Sequence, residues 1–145
     1  MPLAVLLGCS APAASGPAYH PRVRELTVTT VPLLVKEMQG TLPFLKSDFA
    51  KGGVLDGMEV YGFYPSTITA YEGDTLDITF INPEDDEHSF VLPDLYVRIP
   101  GQSADTRITY VAKTAGIFMA RCAIPAHSRS MVATLVVLAP PHGSP

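Results

Sequence analysis

Three residues with metal-binding side chains lie within ten positions near the C-terminal end of the chain. In the stretch CAIPAHSRSM, residues 122–131, they follow one another at spacings of five and four residues: Cys122, His127 and Met131. His88, at the start of the earlier stretch HSFVL, offers a fourth group of this kind. One thiolate, two imidazoles and one thioether form a soft ligand set, which suits copper with a weak axial methionine. The alternative is that the stretch is an ordinary strand, turn and strand in which the three residues occur together by chance.

Other chemistries match this set less well. Structural zinc takes four strong ligands and has little use for a thioether. A dinuclear copper centre needs a second cysteine in the loop, and iron–sulfur clusters need about four cysteines, whereas the chain holds only Cys9 and Cys122. A Cys122–His127 pair is conceivable as a hydrolase nucleophile and base, but a metal-bound thiolate is not free for that reaction. Oxidases and nitrite reductases need further histidines, and only His20 and His142 remain, so we expect no enzymatic activity.

Composition describes a packed globular chain of one domain. The 145 residues are 47% hydrophobic and 17% charged, which is typical of a chain with a buried core. The net charge is −4 and no run of lysine and arginine is present, so nucleic acid is not an expected partner. Fourteen prolines and eleven glycines favour short strands joined by turns over long helices.

The N-terminal residues are similar to a bacterial lipoprotein signal. The apolar run 3–8 ends in LLGC, and in such a lipobox the cysteine, here Cys9, becomes the lipidated first residue of the mature protein. We therefore expect a signal over residues 1–9, a flexible tether over 10–24, one domain over 25–139 and a C-terminal tail over 140–145. A lipid on Cys9 would anchor the protein outside the cytoplasmic membrane, in the periplasm or at the cell surface. An ordinary cleaved secretory signal and an apolar start without meaning remain open.

From residue 25 onward the dominant hydrophobic periodicity is two, which predicts strands. The predicted strands are residues 25–31, 58–64, 66–71, 75–82, 88–92, 95–99, 106–112, 116–122 and 131–139. Short strands at this spacing predict an all-β Greek-key sandwich or flattened barrel. The helical candidate is TLPFLKSDFAKGG, residues 41–53, in which Thr41 suits a cap and Pro43 a first turn. We expect it to form a short helical flap.

The order of the motifs resembles the cupredoxins, the family of small blue-copper electron carriers. YEGDTLDITFIN, HSFVLP, TAGIFMARCAIPAHSRSM and VATLVV follow one another between residues 64 and 137, and the Cys-x4-His-x3-Met loop is similar to the loops of azurins and auracyanins. The resemblance implies one copper ion that cycles between Cu(I) and Cu(II). Ser89 stands where the family has a residue that joins the two ligand-bearing segments by hydrogen bonds. The implied ligands are His88, Cys122, His127 and Met131.

Two other methionines are rivals for the axial position. Met119 lies three residues before Cys122 on one predicted strand, so their side chains point to opposite faces. Met58 is far along the chain. The sequence therefore favours Met131.

The resemblance also implies a function and a docking surface. Electrons would leave through an exposed edge of His127, and Ile124, Pro125 and Ala126 would form a small apolar docking patch with Arg129 in the same loop. We expect a monomer that exchanges single electrons with respiratory-type redox partners, such as a cytochrome or a terminal oxidase domain. The alternative is a copper delivery or homeostasis protein of the cell envelope. Such proteins usually expose Met- or His-rich tracts, and the chain has none.

Overall fold

The computed structural model describes residues 18–141. The predicted signal over 1–9 with its lipidation site Cys9, residues 10–17 of the predicted tether and residues 142–145 of the tail lie outside the described residues. Within residues 18–141, no helix has the length and apolar character needed to cross a membrane.

All nine predicted strands are present in the described part of the chain. Their bounds are β1 Val23–Leu34, β2 Val60–Tyr64, β3 Thr67–Tyr71, β4 Thr75–Asn82, β5 His88–Leu92, β6 Leu95–Ile99, β7 Ser103–Val111, β8 Gly116–Arg121 and β9 Val132–Leu138. Alternation of buried and less buried positions is complete along β4, where every second residue faces the core. The period-two prediction is therefore confirmed.

The strands form two sheets that pack as a sandwich. One sheet has the order β2-β1-β4-β7 and the other the order β3-β9-β8-β5-β6. The chain crosses from one sheet to the other between β2 and β3, β3 and β4, β4 and β5, β6 and β7, and β7 and β8. Most neighbours are antiparallel, but β1 pairs with β4 and β3 pairs with β9 in parallel. The predicted all-β sandwich is confirmed.

Aromatic rings join the two sheets in the core. Phe90 on β5 meets Phe63 on β2 and Phe80 on β4, with both ring centroids 5.2 Å away. All three side chains are buried, and tilted or edge-to-face contacts of this kind add to the free energy gained from burial. These rings therefore pack the two sheets against each other beside the middle of β5.

The predicted helical flap is present between β1 and β2, but its helix is shorter than predicted. A 3-10 helix spans Lys36–Gly40 and an α-helix, α1, spans Leu45–Phe49. Thr41 follows the 3-10 helix instead of capping α1. The α-helix ends at Phe49, where Ala50 takes an extended conformation, and the backbone at Gly53 then packs so closely against the Asp48 carbonyl that a Cβ atom would not fit.

Asp74 binds the segment that precedes β1. Its carboxylate is fully buried and accepts hydrogen bonds from the Tyr19 hydroxyl, the Arg24 guanidinium and the backbone N–H groups of Arg22 and Tyr71. The Tyr19 ring also packs on the Tyr71 ring, with centroids 4.7 Å apart. These contacts hold the segment against the turn between β3 and β4.

The ordered domain therefore begins before residue 25. Val23 and Arg24 belong to β1, and Tyr19 is bonded to Asp74. The prediction of a flexible tether is wrong for residues 19–24, because a buried carboxylate fixes this stretch through side-chain and backbone donors.

Asp74→Ala should lower the free energy of unfolding by about 2 kcal/mol near neutral pH, because the variant leaves buried donors unsatisfied. Burial alone would raise the pKa of Asp74, but the hydrogen bonds from Tyr19, Arg22 and Arg24 outweigh it and hold the pKa well below its usual range. A lowered pKa stabilises the fold above the unfolded-state pKa of about 3.9 and loses this effect as the pH falls.

Chemical denaturation at about pH 7 and about pH 3 checks this, since the difference between wild type and variant should shrink at the lower pH. The control is Asp77→Ala, which removes an exposed carboxylate bonded to Thr109. Equal losses in the two variants at neutral pH would contradict the role of Asp74.

Candidate metal centre

Three of the four predicted ligands converge at one end of the sandwich. His88 is the first residue of β5, Cys122 directly follows β8, and His127 lies in the loop before β9. The two histidine Nδ1 atoms are 3.2 Å apart, and Cys122 Sγ is 4.0 Å from His127 Nδ1. All three ligand atoms lie within 4.8 Å of one another. Two imidazole nitrogens and one thiol sulfur therefore face a common point.

Backbone hydrogen bonds shape the loop that carries Cys122 and His127. The N–H of His127 donates to the carbonyl of Ile124 at 3.0 Å, and the N–H of Met131 donates to the carbonyl of His127 at 2.9 Å, as in a helical turn. The N–H of Cys122 donates to the carbonyl of Met131 at 3.0 Å and closes the loop. Backbone hydrogen bonds therefore hold Cys122 and Met131 next to each other at the two ends of the loop.

Met131 is the methionine placed with the other ligands. Its side chain is fully buried, and its backbone is bonded to both Cys122 and His127. Met119 is 57% exposed, and the sulfur of Met58 accepts from the Arg129 guanidinium at 3.6 Å. Of these three methionines, Met131 is therefore the one that is buried beside the other ligands. That its sulfur is the axial ligand stays a prediction.

Ser89 joins the two ligand-bearing segments. Its hydroxyl oxygen accepts a hydrogen bond from the N–H of Ala123 at 2.8 Å, and its backbone N–H points at Cys122 Sγ at 3.4 Å. The hydroxyl itself lies 3.8 Å from the same sulfur. One buried serine therefore holds β5 against the start of the loop and places its backbone N–H and its hydroxyl near the sulfur.

Both histidines are suited to bind a metal ion at neutral pH. Burial lowers the pKa of His88 to about 4, and the neighbouring His127 contributes to the same shift. Burial also lowers the pKa of His127, although the carboxylates of Asp86 and Glu59 oppose it. Neutral imidazoles and a thiolate are the forms that coordinate metals, so the donor set fits a copper ion.

The loop histidine is largely buried, so little of its ring is accessible. His127 is 4% exposed, because residues just before β2 lie over the loop. The N–H of Glu59 donates to the carbonyl of Ala126 at 3.1 Å, and the Ser130 hydroxyl lies 3.4 Å from the carbonyl of Glu59. The structure leaves His127 only 4% exposed, so electron transfer through an edge of this ring stays a prediction.

The predicted docking residues differ in exposure. Pro125 and Arg129 are exposed, whereas Ile124 and Ala126 are half-buried. Ile124 packs against the core, and the carbonyl of Ala126 is taken by Glu59. A docking role for this patch remains a prediction.

Three residues at the site were missed by the sequence analysis. The ring of Tyr61 packs on both histidines, and Glu59 and Asp86 approach His127 closely enough to form a second group of potential metal ligands with it. Alternation within MEVYGFY places Tyr61 on an inward face, but it does not show which loop that face meets. The position of these three residues at the site depends on how β2, in one sheet, packs against β5, in the other.

Ser89→Ala should lower the free energy of unfolding by about 1 kcal/mol, because the Ala123 N–H loses its acceptor. It should also weaken copper binding by about 10-fold, as is usual when a group that orients a ligand is removed. Denaturant titration and a copper competition assay measure the two effects. Ser128→Ala is the control, since the Ser128 hydroxyl bonds only to the Pro125 carbonyl in its own loop. Similar losses in both variants would contradict the role of Ser89.

Comparison with known proteins relates this architecture to copper proteins. No family model matches the chain, and no curated protein sequence matches it. Among solved structures it is similar to auracyanin A, a "blue" copper protein from Chloroflexus aurantiacus, with a TM-score of 0.52 and 15% identity over 80% of this chain and 99% of that one.

Two larger proteins share the fold. The Cu-containing nitrite reductase NirK from Thermus scotoductus SA-01 matches with a TM-score of 0.53 and 18% identity, over 83% of this chain and 28% of that one. A multi-copper oxidase from Pseudomonas thermotolerans matches with a TM-score of 0.52 and 16% identity, over 87% of this chain and 31% of that one. At these identities the likeness is one of architecture, and the chain has the cupredoxin fold.

Proposed function

We propose that the protein is a mononuclear type 1 copper protein that transfers single electrons. The observation that carries this proposal is the convergence of His88 Nδ1, Cys122 Sγ and His127 Nδ1 beside the buried Met131. Two histidines, one cysteine and a weak methionine are the ligands of blue-copper centres. The similar size and architecture of auracyanin A, a "blue" copper protein, supports the same assignment.

The residues of the chain hold the ligand set in place. A bound copper ion would supply one-electron exchange between its Cu(I) and Cu(II) states. His88 is held on β5, the loop from Cys122 to Met131 is closed by backbone bonds, and Ser89 joins the two. All four predicted ligands are buried, which keeps bulk water from the metal. A rigid, dry set of ligands is what a site needs if it is to accept and release an electron with little rearrangement.

The described residues support a carrier over an enzyme or a delivery protein. Within residues 18–141, both groups of potential metal ligands contain His127, and His20 is exposed and belongs to neither. The matched nitrite reductase and oxidase are more than three times as long as the matched region. Delivery proteins expose their ligands so that the metal can be handed over, whereas the ligands here are buried. We therefore propose no enzymatic activity.

Location and partner belong to the same proposal. The LLGC motif supports a lipid on Cys9, which would hold the protein at the outer side of the cytoplasmic membrane, in the periplasm or at the cell surface. A cytochrome or an oxidase domain is the proposed partner, and a monomer is the proposed state. The turn 84–87 carries four carboxylates, two of which are engaged by Tyr61 and Arg98. The remaining carboxylates, Glu84 and Asp85, favour a partner with a basic surface.

Cys122→Ser should abolish the intense visible absorption of the copper-loaded protein, because that band arises from charge transfer between the thiolate and Cu(II). Copper titration followed by optical and EPR spectroscopy measures the loss. Cys9→Ser, which changes the other cysteine of the chain, is the control and should remain blue. A wild-type protein that binds copper without colour would favour a Cu(I) delivery protein, and a blue Cys122→Ser variant would exclude Cys122 as the ligand.

Met131→Leu should keep copper but raise its reduction potential, because the thioether stabilises Cu(II) relative to Cu(I). Redox titration of the visible band measures the shift. Met119→Leu is the matched control, since Met119 is 57% exposed, and its potential should stay at the wild-type value. An unchanged potential in Met131→Leu would exclude Met131 as the axial ligand.

A further inference from the structure

The two imidazoles of the site lack the hydrogen bonds that usually orient metal-binding histidines. Such histidines normally donate their second ring N–H to a carboxylate, a carbonyl or water. His88 Nε2 is buried and has no hydrogen-bond partner among residues 18–141. His127 Nε2 is 4.0 Å from the nearest Glu59 oxygen, which is beyond hydrogen-bond range. The two imidazoles also contact each other, with their Nδ1 atoms 3.2 Å apart, but these are the atoms that face the metal position. Because the terminal torsion of histidine is broad, a contact away from the Nδ1 atoms is needed to orient the two rings.

Tyr61 makes that contact with both rings. Its ring centroid lies 4.6 Å from that of His88 at an interplanar angle of 64°, and 4.7 Å from that of His127 at 61°. These are edge-to-face geometries, which aromatic rings prefer over face-to-face stacking. Tyr61 is 2% exposed, so its ring has little freedom to move. One side chain therefore limits the rotation of both imidazoles.

A chain of buried and partly buried hydrogen bonds holds Tyr61 in turn. Its hydroxyl donates to Asp86 Oδ2 at 2.6 Å. The backbone carbonyl of Asp86 accepts from the Asn82 amide at 2.7 Å, and Asn82 Oδ1 accepts from the Thr30 hydroxyl at 2.6 Å. Because Asp86 lies two residues before His88, these bonds tie the Tyr61 ring to the entrance of β5.

We propose that Tyr61 is a positioning residue, which orients the Nδ1 atoms of His88 and His127 toward a common ion by ring contact in place of the usual hydrogen bonds at Nε2. Tyr61 lies on β2 in one sheet and His88 on β5 in the other, so the contact spans the sandwich. This role rests on the proposed copper function for the identity of the metal. The ring contacts themselves involve only side chains of the protein.

The test compares Tyr61→Leu with Phe63→Leu in the full chain. Both substitutions remove a buried aromatic ring from the same face of β2, but Phe63 contacts Phe90 and not the histidines. Tyr61→Leu should weaken copper binding by about 10- to 100-fold, the usual loss when an orienting residue of a metal site is removed. It should also change the copper hyperfine splitting in the EPR spectrum. Phe63→Leu should lose stability while its affinity and spectrum stay at wild-type values.

The conservative variant Tyr61→Phe keeps the ring contact with both imidazoles but removes the hydroxyl bond to Asp86. It should lose stability, yet bind copper more tightly than Tyr61→Leu and give an EPR spectrum closer to that of wild type. If Tyr61→Leu does not fold, Tyr61→Met fills the space with an unbranched chain and should show the same loss of affinity. The role of Tyr61 is overturned if the variant without the ring binds copper and gives the EPR spectrum as wild type does. It is also overturned if Phe63→Leu shows the same changes.

NMR of the metal-free protein separates this role from the copper function. The imidazole ring protons of His88 and His127 should be shifted by the Tyr61 ring in wild type and in Tyr61→Phe. In Tyr61→Leu the shift should be lost and the signals broadened, with no such change in Phe63→Leu. If wild type gives no blue copper centre but the NMR result holds, the proposed function fails and the positioning role stands. If wild type is blue and the imidazole signals are the same in all variants, the positioning role fails alone.

Discussion

The pairing of β5 with β8 is the constraint on which the centre depends. β5 begins with His88 and Ser89, and β8 ends at the residue before Cys122, so pairing at Val91 and Arg121 brings segments that are 33 residues apart in sequence into contact at Ser89 and Cys122. Soft ligands on separate strands meet only if the strands are held at this register. A slip by one residue would turn His88 toward the other face of its sheet.

Buried polar groups at this end are largely satisfied by one another. Asn82 accepts from Thr30 and donates to the carbonyls of Asp86 and Pro100, which fixes the acidic turn that leads into His88. Ser89 likewise accepts a hydrogen bond from the N–H of Ala123, at the start of the loop that carries His127. A polar network with its partners in place is rigid, since each broken bond would leave a buried group without compensation. The ligand-bearing segments are thus held by hydrogen bonds within the protein itself.

The connection between β1 and β2 distinguishes this site from an open one. It buries Leu45 and Leu55 and ends where Glu59 binds the carbonyl of Ala126, so that His127 is covered. Pro125 and Arg129 of the same loop stay exposed. The backbone just before β2 is therefore part of the surroundings of the site.

The sequence by itself determined the strands, the sandwich and the ligand types in their order, because alternation of side chains and the preferences of donor atoms are local properties. It also indicated a helical flap, through the proline and the paired glycines around TLPFLKSDFAKGG. Only the tertiary structure decided that residues 19–24 are bound by Asp74, that His127 is buried and that Tyr61 lies against both imidazoles. These three results depend on contacts between strands of different sheets or remote segments, and a hydrophobic pattern states which residues face inward without stating what they meet there.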